Sequence, residues 1–99
     1  MYTLKILEEA DEEIKESALW YEQEKTGLGI RFIEIIQKKL QTINEHPERY
    51  PVRKGNFREA IVLIFPFIII YTFYKRKKLI VINSIFHTSR NPGKKYKKK

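Results

Sequence analysis

The side chains in this sequence that could do chemistry are two histidines, a strand carboxylate and several clusters of arginine and lysine. His87 stands three residues before Arg90. A histidine near an arginine can move a proton or steady charge on a phosphate, because imidazole titrates near neutrality. The competing reading of His87 is structural, a ring packed at a strand end. His46 precedes Pro47 at the end of a predicted helix and reads as a capping or surface residue. Glu59 has basic and apolar neighbours, where it could serve as a base or as a surface ion-pair partner. The basic residues fall into three groups: Arg53, Lys54 and Arg58; Lys75 to Lys78; and Arg90 with the lysines that follow. If the strands bring these groups together, they can hold phosphate by charge-assisted hydrogen bonds, with Tyr96 in reach to stack on a base. If they do not, the same residues are turn charges that limit edge pairing.

Other chemistries lack their residues. Without cysteine there is no disulfide, thiolate metal site or thiol nucleophile, and two separated histidines do not make a zinc site. No phosphate-binding glycine loop, serine elbow or dinucleotide fingerprint occurs, so neither a metal nor a cofactor is expected. Met1 to Leu7 is a short alternating stretch followed by Glu8, Glu9, Asp11, Glu12 and Glu13, which does not resemble a signal peptide. The apolar run Ala60 to Phe73 is shorter than the roughly 20 residues a helical span needs, and Pro66 interrupts it. It reads as strands, and no membrane association is expected.

Charge is unevenly placed. The net charge is +8, yet Met1 to Gly29 holds three lysines against eight acids, a net of −5. The remainder, with 17 basic residues against four acids, carries +13. Such a chain can turn a basic surface toward a phosphate backbone or an acidic protein, or simply use lysine for solubility.

The elements that must position these groups follow from periodicity. Tyr2, Leu4 and Ile6 alternate with polar residues and predict a short strand. Ile14, Ala18 and Tyr21 recur at helical steps and predict a helix over about 10–25. Gly27 and Gly29 supply its C-cap or a tight turn. Leu28, Phe32, Ile35, Ile36, Leu40 and Ile43 form the apolar stripe of a second helix, from 28 or 30 to 43 or 44, which His46-Pro47 ends. Arg53 to Asn56 predicts an exposed turn. Phe57 to Ile64, Phe67 to Tyr74 and Leu79 to Phe86 predict three strands, the last two joined as a hairpin through Lys75 to Lys78. The expected fold is α+β, a helical hairpin packed on one face of a mainly antiparallel sheet in the order β-α-α-β-β-β. One domain should occupy residues 1–92, with 93–99 as a basic tail. A domain this small buries proportionally little surface, so a partner covering its apolar area would matter to its stability.

Four segments in this order resemble the RelE/ParE toxin superfamily, and in particular its ParE-like, plasmid-stabilisation branch. They are Ala18-Leu19-Trp20-Tyr21, Gly29-Ile30-Arg31-Phe32, Phe65-Pro66-Phe67-Ile68-Ile69-Ile70-Tyr71 and Phe86-His87-Thr88-Ser89-Arg90-Asn91-Pro92. The resemblance runs from about Leu4 to Pro92. It implies a cytoplasmic toxin of a type II toxin-antitoxin system, inhibiting growth until an antitoxin, acidic and encoded adjacently, wraps it. Phe-Pro-Phe and His-x-x-Arg lie nearer the ParE pattern, which implies a binding poison of DNA gyrase. RelE-like members imply the alternative, a ribosome-dependent mRNA endoribonuclease. Its catalytic set here would be Arg58, His87, Arg90 and Tyr96, with the ribosome and mRNA as partners. A third reading is a non-catalytic, complex-forming or regulatory subunit. The chain departs from the family pattern before Phe65-Pro66, where Leu63 and Ile64 replace a basic residue, and at Phe67, which replaces a tyrosine. It also lacks the tryptophan that many relatives carry after the final proline.

Overall fold

The structure, a computed structural model, describes residues 2–88. Its elements are β1 (Thr3–Ile6), α1 (Glu8–Glu24), α2 (Leu28–Glu45), β2 (Val52–Lys54), β3 (Phe57–Val62), β4 (Phe67–Tyr74) and β5 (Leu79–His87). The sheet order is β1-β5-β4-β3-β2, with β1 parallel to β5 and every other pair antiparallel. The helical hairpin and mainly antiparallel sheet expected from the sequence are therefore present, with one short strand more than expected.

α1 starts two residues earlier than its apolar stripe suggests, because Glu8, Glu9 and Asp11 place negative charge in its first turn. It buries Ala10, Ile14 and Ser17. α2 buries Gly29, Phe32, Ile36 and Ile43. Of the two glycines read as a cap or turn, only Gly27 plays that part, with φ at 90°. Gly29 lies inside α2, where an added Cβ would come within 2.5 Å of the Ala18 carbonyl oxygen. Its missing side chain lets the two helices approach. His46 is the C-cap of α2, its amide donating to Thr42 O at 2.9 Å.

The expected turn at Arg53 to Asn56 is half strand. Val52–Lys54 pairs with the start of β3, and Gly55, with φ at 56°, makes the turn. Three exposed residues with no apolar alternation carry no strand signal, which is why the sequence hides β2. β3 ends at Val62, earlier than the apolar run suggests, because Ile64 adopts φ 79° and breaks the ladder.

The core lies between the helices and one sheet face. Ala60, Val62, Phe67, Ile69, Tyr71, Ile80, Ile82 and Ile85 meet Ala10, Ile14, Phe32, Ile36 and Ile43 there. Each large apolar side chain so buried contributes roughly 1.5–3 kcal/mol. A register shift at Ile70/Tyr71 leaves Asn83 as the extra residue in β5, and its Oδ1 accepts from Thr72 Oγ1 at 2.8 Å. Among the described residues, no helix is long and apolar enough to cross a membrane.

Candidate functional site

The β3–β4 turn, the end of β5 and the helix ends beside the α1–α2 link meet at one end of the molecule. Phe65 in the turn packs edge-on against Tyr21 of α1, with ring centroids 4.8 Å apart, and against Phe32 of α2 at 5.2 Å. Phe67 contacts Phe32 at 5.1 Å and the His87 ring at 5.0 Å. The Thr88 amide donates to Pro66 O at 2.8 Å, fastening the end of β5 to the turn. Edge-to-face pairs of this kind contribute about 0.5–1.5 kcal/mol beyond their buried area. The described parts of the four segments singled out in the sequence thus come together, although they are far apart along the chain.

Around this aromatic centre the surface is apolar. Leu63 is 70% exposed and Ile64 67% exposed on the turn, and Ile61 on β3 is also exposed. Leu19 and Trp20 on α1 and Ile30 on α2 are exposed as well. Between the helices, Leu19, Ile30 and Ile33 line a shallow groove of about 540 Å³ with Glu22 and Glu34. Ile64 holds a left-handed backbone conformation that a β-branched residue rarely adopts, at a cost of roughly 1–2 kcal/mol. Backbone strain of this kind clusters at functional sites.

Glu22 organises this end electrostatically. Its Oε2 accepts from the Gly27 amide at 2.9 Å and its Oε1 from the Gly29 amide at 3.0 Å. α2 has no acidic residue in its first turn and no side-chain cap of its own, so α1 supplies the missing negative charge. Neither this role nor that of Glu13, which binds the Ile85 amide, was legible in the sequence, because both depend on how distant elements pack.

The expected phosphate-handling residues are placed differently. Arg58 Nη1 donates to Tyr50 O at 2.6 Å, holding the loop after α2 against β3. Tyr71, paired with Arg58 across the ladder, is buried and donates from Oη to Pro47 O at 2.7 Å. Burial pushes the Tyr71 phenol up to about 12, against a smaller opposing pull from Arg58. His87 is half-buried opposite Phe67, four residues from Tyr71 along β4 and on its other side. The strand spacings put the Arg58 and His87 backbones about 16 Å apart. The fold does not bring these two residues together. Arg90 and Tyr96 lie outside the described residues. Glu59 sits on β3 with its amide donating to Pro51 O at 3.3 Å. Among the described residues, no group of three or more His, Asp or Glu side chains gathers as metal ligands would.

The chain matches the sequence profile of one family, described as the ParE toxin of the type II toxin-antitoxin system parDE, over residues 4–92. No curated protein matches it. Among solved structures, it is similar to the chromosomal ParDE system from P. aeruginosa, with a TM-score of 0.78 at 15% identity over 90% of this chain and 98% of the other. The intact E. coli RelBE toxin-antitoxin complex gives 0.67 at 20% identity, over 91% of this chain and 100% of the other. The isolated E. coli RelE toxin gives 0.66 at 20% identity, over 96% and 93%. At these identities the structural likeness speaks to the fold.

Proposed function

Because this chain belongs to the ParE toxin family and is the toxin component of a type II toxin-antitoxin system, we propose that it acts by binding a protein, DNA gyrase, and that a cognate antitoxin in the same cytoplasm neutralises it. One observation carries this reading. The end where the described parts of the four family segments meet is apolar at its surface and supported from beneath by rings. A nuclease centre needs several cationic or proton-transferring groups converging on one phosphate. Here Arg58 is spent on a backbone carbonyl and His87 stands far from it. Exposed Leu63, Ile64, Trp20 and Leu19 suit the dry centre of a protein interface, where large apolar and aromatic side chains give most of the affinity. The solved ParDE and RelBE assemblies of similar fold support an antitoxin as one such partner.

The test is a surface variant. Leu63→Ser combined with Ile64→Asn should keep the fold, since both side chains are exposed, and should abolish growth inhibition by the chain expressed alone. Undiminished toxicity in a folded double variant would remove the proposed surface.

A further inference from the structure

The basic residues that the sequence spreads over two turns and a loop are gathered by the strand order at the end of the sheet opposite the apolar one. β3 begins at Phe57 opposite Thr72, and β4 ends at Tyr74 opposite Leu79. The β2–β3 and β4–β5 turns therefore leave the sheet on the same side, with centres two strand spacings, or about 10 Å, apart. Arg53, Lys54, Lys75, Arg76, Lys77 and Lys78 are all exposed there. Lys75 Nζ lies 3.7 Å from Glu48 Oε2, which brings the loop after α2, and with it Arg49, to the same place. Glu48 is the one carboxylate in these two turns and that loop. The acids of α1 lie elsewhere, because α1 starts level with Ile82 and runs past Ile85 to Phe65.

We propose that this basic end binds the phosphate backbone of a nucleic-acid duplex without reading its sequence. The inference goes beyond the target proposed above and does not rest on it. Two features favour a nucleic acid over an acidic protein. Protein interfaces carry an apolar centre depleted of charge, whereas nucleic-acid interfaces are polar and strongly positive. Of the eight large hydrophobic side chains exposed among the described residues, six lie toward the far end, while Val52 beside Arg53, and Tyr74 with Lys77 Nζ 5.9 Å from its ring, stand among these cations. The five-stranded end is about 19 Å wide, matching roughly six base-pair steps of a duplex.

The experiment measures binding of the full chain to labelled DNA and RNA duplexes of random sequence by fluorescence anisotropy, between about 50 and 200 mM salt. The double variant Arg53→Glu with Arg76→Glu takes one residue from β2 and one from the β4–β5 turn. It should weaken binding by about tenfold or more and flatten the dependence of log K on log salt by about 2. Lys25→Glu, at the C-cap of α1, with Lys38→Glu on α2 makes the same change in net charge away from these turns and should shift affinity less than about twofold. Circular dichroism checks that both variants are folded. The neutral pair Arg53→Gln with Arg76→Gln should give an intermediate loss. Tighter binding of one duplex identifies which nucleic acid is held. Equal weakening by the two charge-reversed variants would overturn the proposal, as would failure of the wild type to bind either duplex. Displacement of the duplexes by polyglutamate at equal charge concentration would also overturn it, in favour of an acidic protein.

Discussion

The Glu13 carboxylate on α1 accepts a 2.7 Å hydrogen bond from the Ile85 amide of β5, joining residues 72 positions apart. β1 pairs with β5 only as far as Ile82, so among the described residues the rest of that edge has no neighbouring strand. An open edge with an unmet N–H invites further strand addition, and a carboxylate placed on it both satisfies the donor and blocks the edge. Glu13→Ala should therefore lower stability by about 1–3 kcal/mol, the cost of leaving a part-buried donor unmet. Glu13→Gln, which keeps an acceptor, should lose less. Chemical denaturation of the two variants measures the difference, and equal losses would show that the acceptor is not the cause.

Glu22 and Gly29 are coupled in the same way between the helices. Removing the carboxylate in Glu22→Ala leaves two amides at the start of α2 without their acceptor, and should cost about 1–2 kcal/mol. Gly29→Ala sets a methyl against the Ala18 carbonyl and forces the helices apart, at about 1–3 kcal/mol. Thermal melting of each single variant checks both values. An unchanged Gly29→Ala protein would mean that the helix crossing is looser than the structure has it.

Tyr71 predicts a specific alkaline response. Its phenol titrates at about 12 in the folded chain because it is buried, above its ordinary value of 10.0. An unfolded chain thus releases this proton first, and stability from this group is full below about pH 10 and falls as pH rises toward 12. Tyr71→Phe should remove that part of the pH dependence and lose about 1 kcal/mol at neutral pH with the hydrogen bond to Pro47 O. Ultraviolet titration of the phenols should show one tyrosine fewer ionising late in the variant. An unchanged late titration would assign the shift to another tyrosine.

The helices were legible in the sequence because a 3.6-residue apolar stripe survives whatever the helix packs against. β4 and β5 were legible from their β-branched runs. β2 was not, since Val52 is its one apolar residue and pairing alone makes it a strand. The candidate site was legible in pieces only. The motif segments could be named, but their meeting around Phe65 depends on a sheet order that places β5 between β1 and β4. The same order sets Arg58 apart from His87, two of the four residues that the RelE-like resemblance would imply as a catalytic set. Strain at Ile64 was invisible, because nothing in Leu-Ile-Phe-Pro announces a positive φ.

The most direct measurement is gyrase supercoiling with the purified chain, run beside a translation mixture in which mRNA integrity is followed. Inhibited supercoiling, restored by the antitoxin, with mRNA left whole is the result predicted here. Discrete ribosome-dependent cuts in the mRNA, with supercoiling untouched, would contradict a toxin that works by binding.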